Sequence, residues 1–187
     1  AQLAPTFDGR STAIAFSTFR MLDALGLGEA LRPHACRMDH ILVTDGRRPG
    51  AASRPALPAF LRFDAEEIGG RTGGEPLGYM VENRRIRAAL AEAVTAAGIA
   101  VRAPASVATV VTDAGKATVT LADGAVLTAP LVVGAEGRGS VVRRAAGIET
   151  VGWGYGQSGV VATVRLERDH GNVAHEYFLP GGPFAIL

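Results

Sequence analysis

Apolar residues recur at helical spacing in two stretches of the chain and alternate with polar ones in several shorter runs. In "STFRMLDALGLGEALRPH", Phe19, Leu22 and Leu25 fall on one side of a helix, and Gly26 supplies a stop. The spacing predicts a longer helix from Arg84 to about Ala97, with Ile86, Leu90 and Val94 repeating along one face. Asn83 is a suitable N-cap for it and Gly98 a suitable terminator. "HILVTDG" reads as a strand ending in an Asp-Gly turn, and "FLRF" and "YMVE" as two shorter strands. "RRPGAASRPALP" (47–58) and "EIGGRTGGEPLG" are loops by composition.

Past the long helix, "SVATVVTDAGKATVTLADGAVLTAP" alternates through two or three strands, with turns at Asp113–Gly115 and Asp123–Gly124, the pattern of a meander. It leads into "LVVGA", whose unbroken apolar run predicts a strand buried on both faces. "GVVATVRLER", "VAHEYFLP" and "FAIL" then read as strands of a second sheet. No internal repeat or low-complexity tract interrupts this order, and the mixture of helices and strands places the chain in the α/β class.

Composition narrows the function. The 187 residues are 48% hydrophobic, enough for one large domain or two small intergrown ones. A net charge of +1 argues against a dedicated nucleic-acid surface. Of the 19 basic residues only Lys116 is a lysine, so an isolated arginine carries less meaning than usual. Cys36 is the single cysteine, which excludes an intrachain disulfide and suits a cytoplasmic setting. No apolar run approaches the roughly 20 residues that a membrane span needs. The chain opens at Ala1 without a methionine and stops in a strand-like run, so the expectation is an internal piece of a longer protein.

The densest chemistry lies in "LVVGAEGRGSVVRRAAGI", residues 131–148. Gly134 and Gly137 permit close backbone approach to a ligand, and Glu136 can accept hydrogen bonds from a ribose. Ser140 is the expected N-cap of the following helix, whose first turns carry Arg143 and Arg144. The same residues also suit an ordinary capped strand–turn–helix connection, and the glycine spacing is not G-x-G-x-x-G. Arg84, Arg85 and Arg87 crowd a helix N-terminus that disfavours cations, so an anion or the nearby acids Glu82 and Glu92 must offset them. In "TFDGR", Arg10 follows an Asp-Gly turn. His170 and His175 fall on opposite faces of an alternating strand with no third ligand nearby, so no metal site is expected.

In order, "FDGRSTAIAFSTFRMLDALGL", "DHILVTDG", "LGYMVENRRIRAAL", "LVVGAEGRGSVVRRAAGI" and "YGQSGVVATVRLERDHGNVAHEYFLPGGPFAIL" resemble the ubiquinone-biosynthesis flavin hydroxylases. The resemblance is greatest to the 2-polyprenyl-6-methoxyphenol hydroxylase type, within the aromatic-ring monooxygenases similar to p-hydroxybenzoate hydroxylase. It implies a Rossmann-like FAD-binding domain lacking its N-terminal βαβ unit, intergrown with a β-sheet substrate domain. The expected division is 1–35 with 77–150 for the cofactor part, and 36–76 with 151–187 for the substrate sheet. It further implies Arg10, Asn83, Glu136, Gly137, Ser140 and Arg143 as cofactor-binding residues, and assigns no catalytic base.

The implied activity is FAD-dependent hydroxylation of a polyprenylated phenol, with NAD(P)H as electron donor and O2 as co-substrate. The implied location is cytoplasmic, in contact with the inner membrane or with other enzymes of the pathway. Two departures from the family pattern stand out. Glu136 occupies a position where the family usually has Asp, lengthening the side chain by about 1.5 Å, and the family's G-x-G-x-x-G and later Gly-Asp motifs are not in this sequence. A hydroxylase of another phenol, and a flavin-free scaffold with the same fold, are the alternatives.

Overall fold

Among the described residues the strands run four to seven residues and the α-helices four to fourteen. The structure, a computed structural model, describes residues 9–45, 61–68 and 73–187. The loop expected at 47–58 and part of the glycine-rich loop after it lie outside the described residues, as does Asp8 of the first Asp-Gly turn. Contacts divide the chain into two units, Ala1–Ile99 with Val160–Leu187, and Ala100–Gly159.

The first unit holds two sheets. In one, β5 (Gly78–Glu82) lies between β1 (Ser11–Ala15) and β2 (Ala35–Met38), antiparallel to both. In the other, β9 (Val173–Leu179) pairs in parallel with β3 (His40–Asp45) and antiparallel with β10 (Gly182–Ile186), while β4 (Leu61–Asp64) closes the far edge. Helix α1 (Phe16–Ala24) stops at Gly26, whose φ of +78° is the left-handed conformation that a glycine adopts without strain. A short α2 (Gly28–Leu31) follows it.

The core of this unit gathers Ile14, Phe19, Leu27, Leu31, Tyr79, Val81 and Ala89. Each fully buried large side chain contributes about 1.5–3 kcal/mol. The rings of Phe19 and Tyr79 are tilted against each other at 4.3 Å, and the Arg32 guanidinium sits 5.1 Å above the Phe19 ring. Asp23 and Glu75 hold that guanidinium from its outer side, at 2.5 and 3.4 Å. The arginine therefore closes the edge of the core with its charge still paired.

The long helix α3 spans Asn83–Ala96, as its periodicity predicts, and ends at Gly98 with φ +66°. Two expectations about it are corrected. Glu82, not Asn83, holds the N-cap position, and no side chain caps the helix; Asn83 is its first residue. The inward face carries Ile86, Ala89 and Ala93, while Leu90 is 42% exposed. Alanines let this helix approach the core closely, and that rotates the larger leucine towards solvent.

The second unit is the expected meander, β6 (Val107–Thr112), β7 (Ala117–Leu121) and β8 (Val126–Ala129), followed by the five-residue helix α4 (Val141–Ala145). Its two turns are built by aspartates. The Asp113 carboxylate accepts from the amides of Gly115 and Lys116, and Asp123 from that of Ala125.

Two predicted strands are absent. Residues 131–135 form no strand, and Leu131 and Val133 are each 75% exposed. Residues 160–167 likewise lack strand pairing, with Val160 93% exposed. An apolar run becomes a strand only where a neighbouring backbone takes up its N–H and C=O groups, and no described residue does so for either segment.

Candidate functional site

Arg10 and Asn83, 73 positions apart by their residue numbers, meet through strand register. Ser11 pairs with Glu82 across β1 and β5, so Arg10 falls opposite Asn83, and the Asn83 amide donates to the Arg10 carbonyl at 3.0 Å. The Thr12 hydroxyl donates to the Asn83 side-chain Oδ1 at 2.6 Å. Thr12 carries no signal in the sequence, since an exposed threonine at a strand position is ordinary. Beside this pair, Glu82 binds Arg84, so one of the three arginines at the start of α3 is offset by the acid two residues earlier.

The remaining candidates lie together in the second unit. Gly134 lets the chain pass close to α4: a Cβ there would sit 2.9 Å from Cβ of Val142. Gly137 has φ +85° and open space around it. Ser140 is the N-cap of α4, as expected, its Oγ accepting from the Arg143 amide at 3.0 Å while its own residue is buried. The Glu136 carboxylate accepts from the Val142 amide at 2.9 Å, so a second side chain terminates the same helix.

The two arginines turn back on the loop. Arg143 donates to the Arg138 carbonyl and Arg144 to the Gly139 carbonyl, both at 2.8 Å. Hydrogen bonds to the Glu136 carboxylate, first from the Val142 amide, hold it below the ordinary glutamate range. The turn is thus fixed from within, with an ionised acid at its surface.

Histidine 170 supplies a contact that the sequence does not announce. Its Nδ1 accepts from the Asn172 amide at 3.0 Å, which leaves the proton on Nε2, 3.5 Å from Sγ of Cys36. Burial, then the neighbouring Asp169 and Asp39, push the Cys36 thiol up, so it is a poor nucleophile. Met38, Met80, Leu166 and Ile186 join Cys36 and His170 around a cavity of about 70 Å³. His175 stacks on Tyr177 with ring centroids 6.0 Å apart.

Short strands and helices give the chain a mixed α/β architecture. The chain belongs to the FAD binding domain family, whose model matches residues 2–180. It is 42% identical over its whole length to ubiquinone hydroxylase UbiL of Rhodospirillum rubrum, covering 41% of that protein. It is 34% identical to the mitochondrial ubiquinone biosynthesis monooxygenase COQ6 of Rattus norvegicus, covering all of this chain and 38% of that one. With 3-demethoxyubiquinol 3-hydroxylase of Escherichia coli the identity is 33%, over 96% of this chain and 43% of the other.

The chain therefore spans about two fifths of the length of these relatives. Among solved structures it is similar to HpxO of Klebsiella pneumoniae in complex with FAD, at TM-score 0.63 and 15% identity, over 95% of this chain and 44% of that one. PqsL of P. aeruginosa matches at TM-score 0.63 and 19% identity, over 83% of this chain and 39% of that one. These structures establish the expected fold.

The chemistry of the donor set suits FAD. A dinucleotide presents phosphate and carbonyl oxygens that require donors, and ribose and ribityl hydroxyls that require acceptors. Taken each by itself, the first unit carries donors at Arg10 and Asn83, and the second carries an acceptor at the ionised Glu136. Gly137 leaves its side of the turn clear.

Proposed function

We propose that the protein is an FAD-dependent monooxygenase that hydroxylates the aromatic ring of a polyprenylated phenol in ubiquinone biosynthesis. The observation that carries this is the 42% identity, along the entire chain, to a protein named as a ubiquinone hydroxylase. The overall reaction balances as phenol, O2, NAD(P)H and a proton giving the hydroxylated phenol, NAD(P)+ and water. When bound, FAD supplies the electron transfer from NAD(P)H and the activation of O2.

Within this reading each unit offers its own polar groups to the cofactor. Arg10 and Asn83 donate to acceptor oxygens, Glu136 accepts from a hydroxyl, and Ser140 and Arg143 keep the turn in shape. The cofactor part comprises 1–35 and 77–150, and the substrate sheet 36–76 and 151–187. In support of the second, the four-stranded sheet draws β3 and β4 from the first of those stretches and β9 and β10 from the other. A polyprenyl tail is best delivered from a bilayer surface, so the protein works as a peripheral visitor to the membrane or inside a complex of pathway enzymes. Among the described residues no helix is long and apolar enough to cross a membrane.

The test is turnover by the complete gene product. It is incubated with NADH or NADPH and a short-chain prenylated phenol under 18O2, with mass spectrometry of the product. One 18O atom per product ring supports the proposal. NAD(P)H-independent or label-free product, or none with any prenylated phenol, rejects it.

A further inference from the structure

We infer that Thr12 is a positioning residue that holds the Asn83 carboxamide with its donors outward, so that this end of β5 offers donors to a hydrogen-bond acceptor oxygen of FAD. The inference rests on the proposed flavoprotein function and deepens it. A free asparagine side chain is ambivalent, because rotation by half a turn exchanges a carbonyl acceptor for an NH2 donor. Here one of the two orientations is taken up. The Thr12 hydroxyl donates to Oδ1 at 2.6 Å, so the amide nitrogen and its two hydrogens face the other way.

The backbone fixes the rest. The Asn83 amide is bound to the Arg10 carbonyl at 3.0 Å, and the β1–β5 register sets Thr12 opposite Val81, one step along from the Ser11–Glu82 pair. Asn83 is released from capping duty because Glu82 takes the N-cap position. Its side chain is therefore free of the role that usually explains an asparagine at a helix start. Arg10 lies opposite Asn83 in the register through its backbone, and the group that Asn83 turns outward is an amide NH2, a donor only. A hydroxyl that needs an acceptor finds none in it, whereas a phosphate or carbonyl oxygen finds a donor.

The experiment compares FAD dissociation constants, by flavin fluorescence, for the wild-type gene product and five variants: Thr12→Val, Thr12→Ser, Asn83→Ala, the Asn83→Ala/Thr12→Val double variant and Asn83→Asp. Thr12→Val preserves shape at an exposed strand position and removes the hydroxyl. It should weaken FAD about three- to tenfold, while Thr12→Ser binds as wild type. In an Asn83→Ala background Thr12→Val should have no further effect. Asn83→Asp replaces the donors with a carboxylate at a helix N-terminus, where a negative charge is favourable. It should leave the urea midpoint unchanged or higher while weakening FAD at least tenfold, a pairing that a purely structural role cannot give.

A Thr12→Val penalty that also appears with ADP assigns the acceptor to a phosphate, and a penalty confined to FAD assigns it to a flavin carbonyl. FAD uptake with Thr12→Val as tight as wild type, an undiminished Thr12 effect without Asn83, or tight binding by Asn83→Asp overturns the inference alone. A folded wild-type protein that takes up no FAD overturns the proposed function and this inference with it.

Discussion

Gly78 opens the central strand of the sheet that carries Asn83, and replacing it by alanine tests how tightly that sheet is built. A Cβ at this position would lie 2.6 Å from the Ile14 carbonyl oxygen, 3.0 Å from Cε of Met38 and 3.3 Å from Cα of Ala15. The methionine end can swing away; the carbonyl cannot, because it belongs to β1, which is paired with β5 over five residues. Relief requires β1 and β5 to separate by several tenths of an ångström at this end. Forced overpacking of this kind costs about 1–3 kcal/mol, and the backbone partner puts Gly78→Ala near the upper end. For a chain of this size the melting temperature should fall by roughly 4–12 °C.

Gly115→Ala is the control, since a Cβ there meets nothing within 4 Å and no positive φ is involved. It should be neutral or stabilise by up to about 1 kcal/mol through the unfolded chain. Circular dichroism melts of the three proteins at one pH measure both effects. A Gly78→Ala protein within 1 °C of wild type would refute the claim that β1 and β5 are held rigidly at this contact.

The core makes a second prediction: Phe19, fully buried and paired with Tyr79, should cost about 3–5 kcal/mol when truncated to alanine in urea unfolding. Phe184→Ala, at an exposed position, should cost far less in the same assay. The third concerns pH. The folded state holds the Glu136 carboxyl below its ordinary value, so its stabilising contribution is complete above the ordinary glutamate range and disappears as the pH falls through the lowered folded value. Glu136→Gln should therefore be less stable than wild type at neutral pH, and the two should converge on acidification. Urea midpoints across the acidic range measure this, with Asp39 and Asp64 common to both proteins; parallel curves would contradict it.

The helices were the most legible features, because Phe19 and Leu22 repeat at helical spacing and Gly26 and Gly98 both adopt the left-handed stop. The meander was equally clear from its Asp-Gly turns, where the aspartates bind the amides that the turn leaves open. β1 and β2 were not legible. "STAIA" and "ACRM" bury only Ile14 and Met38, too little alternation to announce a strand. The run at 131–133 misled in the opposite direction, since hydrophobicity reports a tendency to be covered and not the presence of a covering strand.

At the candidate site, the Ser140 cap could be read directly because the cap and its target amide are three residues apart. The meeting of Arg10, Thr12 and Asn83 could not, because it follows from the register of two strands distant in sequence. The Glu136–Val142 bond spans six residues across a glycine turn, beyond any local capping pattern.

The most direct test of the account is the visible absorption spectrum of the complete gene product, purified without added flavin and then mixed with NAD(P)H in the absence of O2. The account predicts flavin absorption bands that bleach on addition of NAD(P)H and return when O2 is admitted. A folded, colourless protein that takes up no FAD would contradict it.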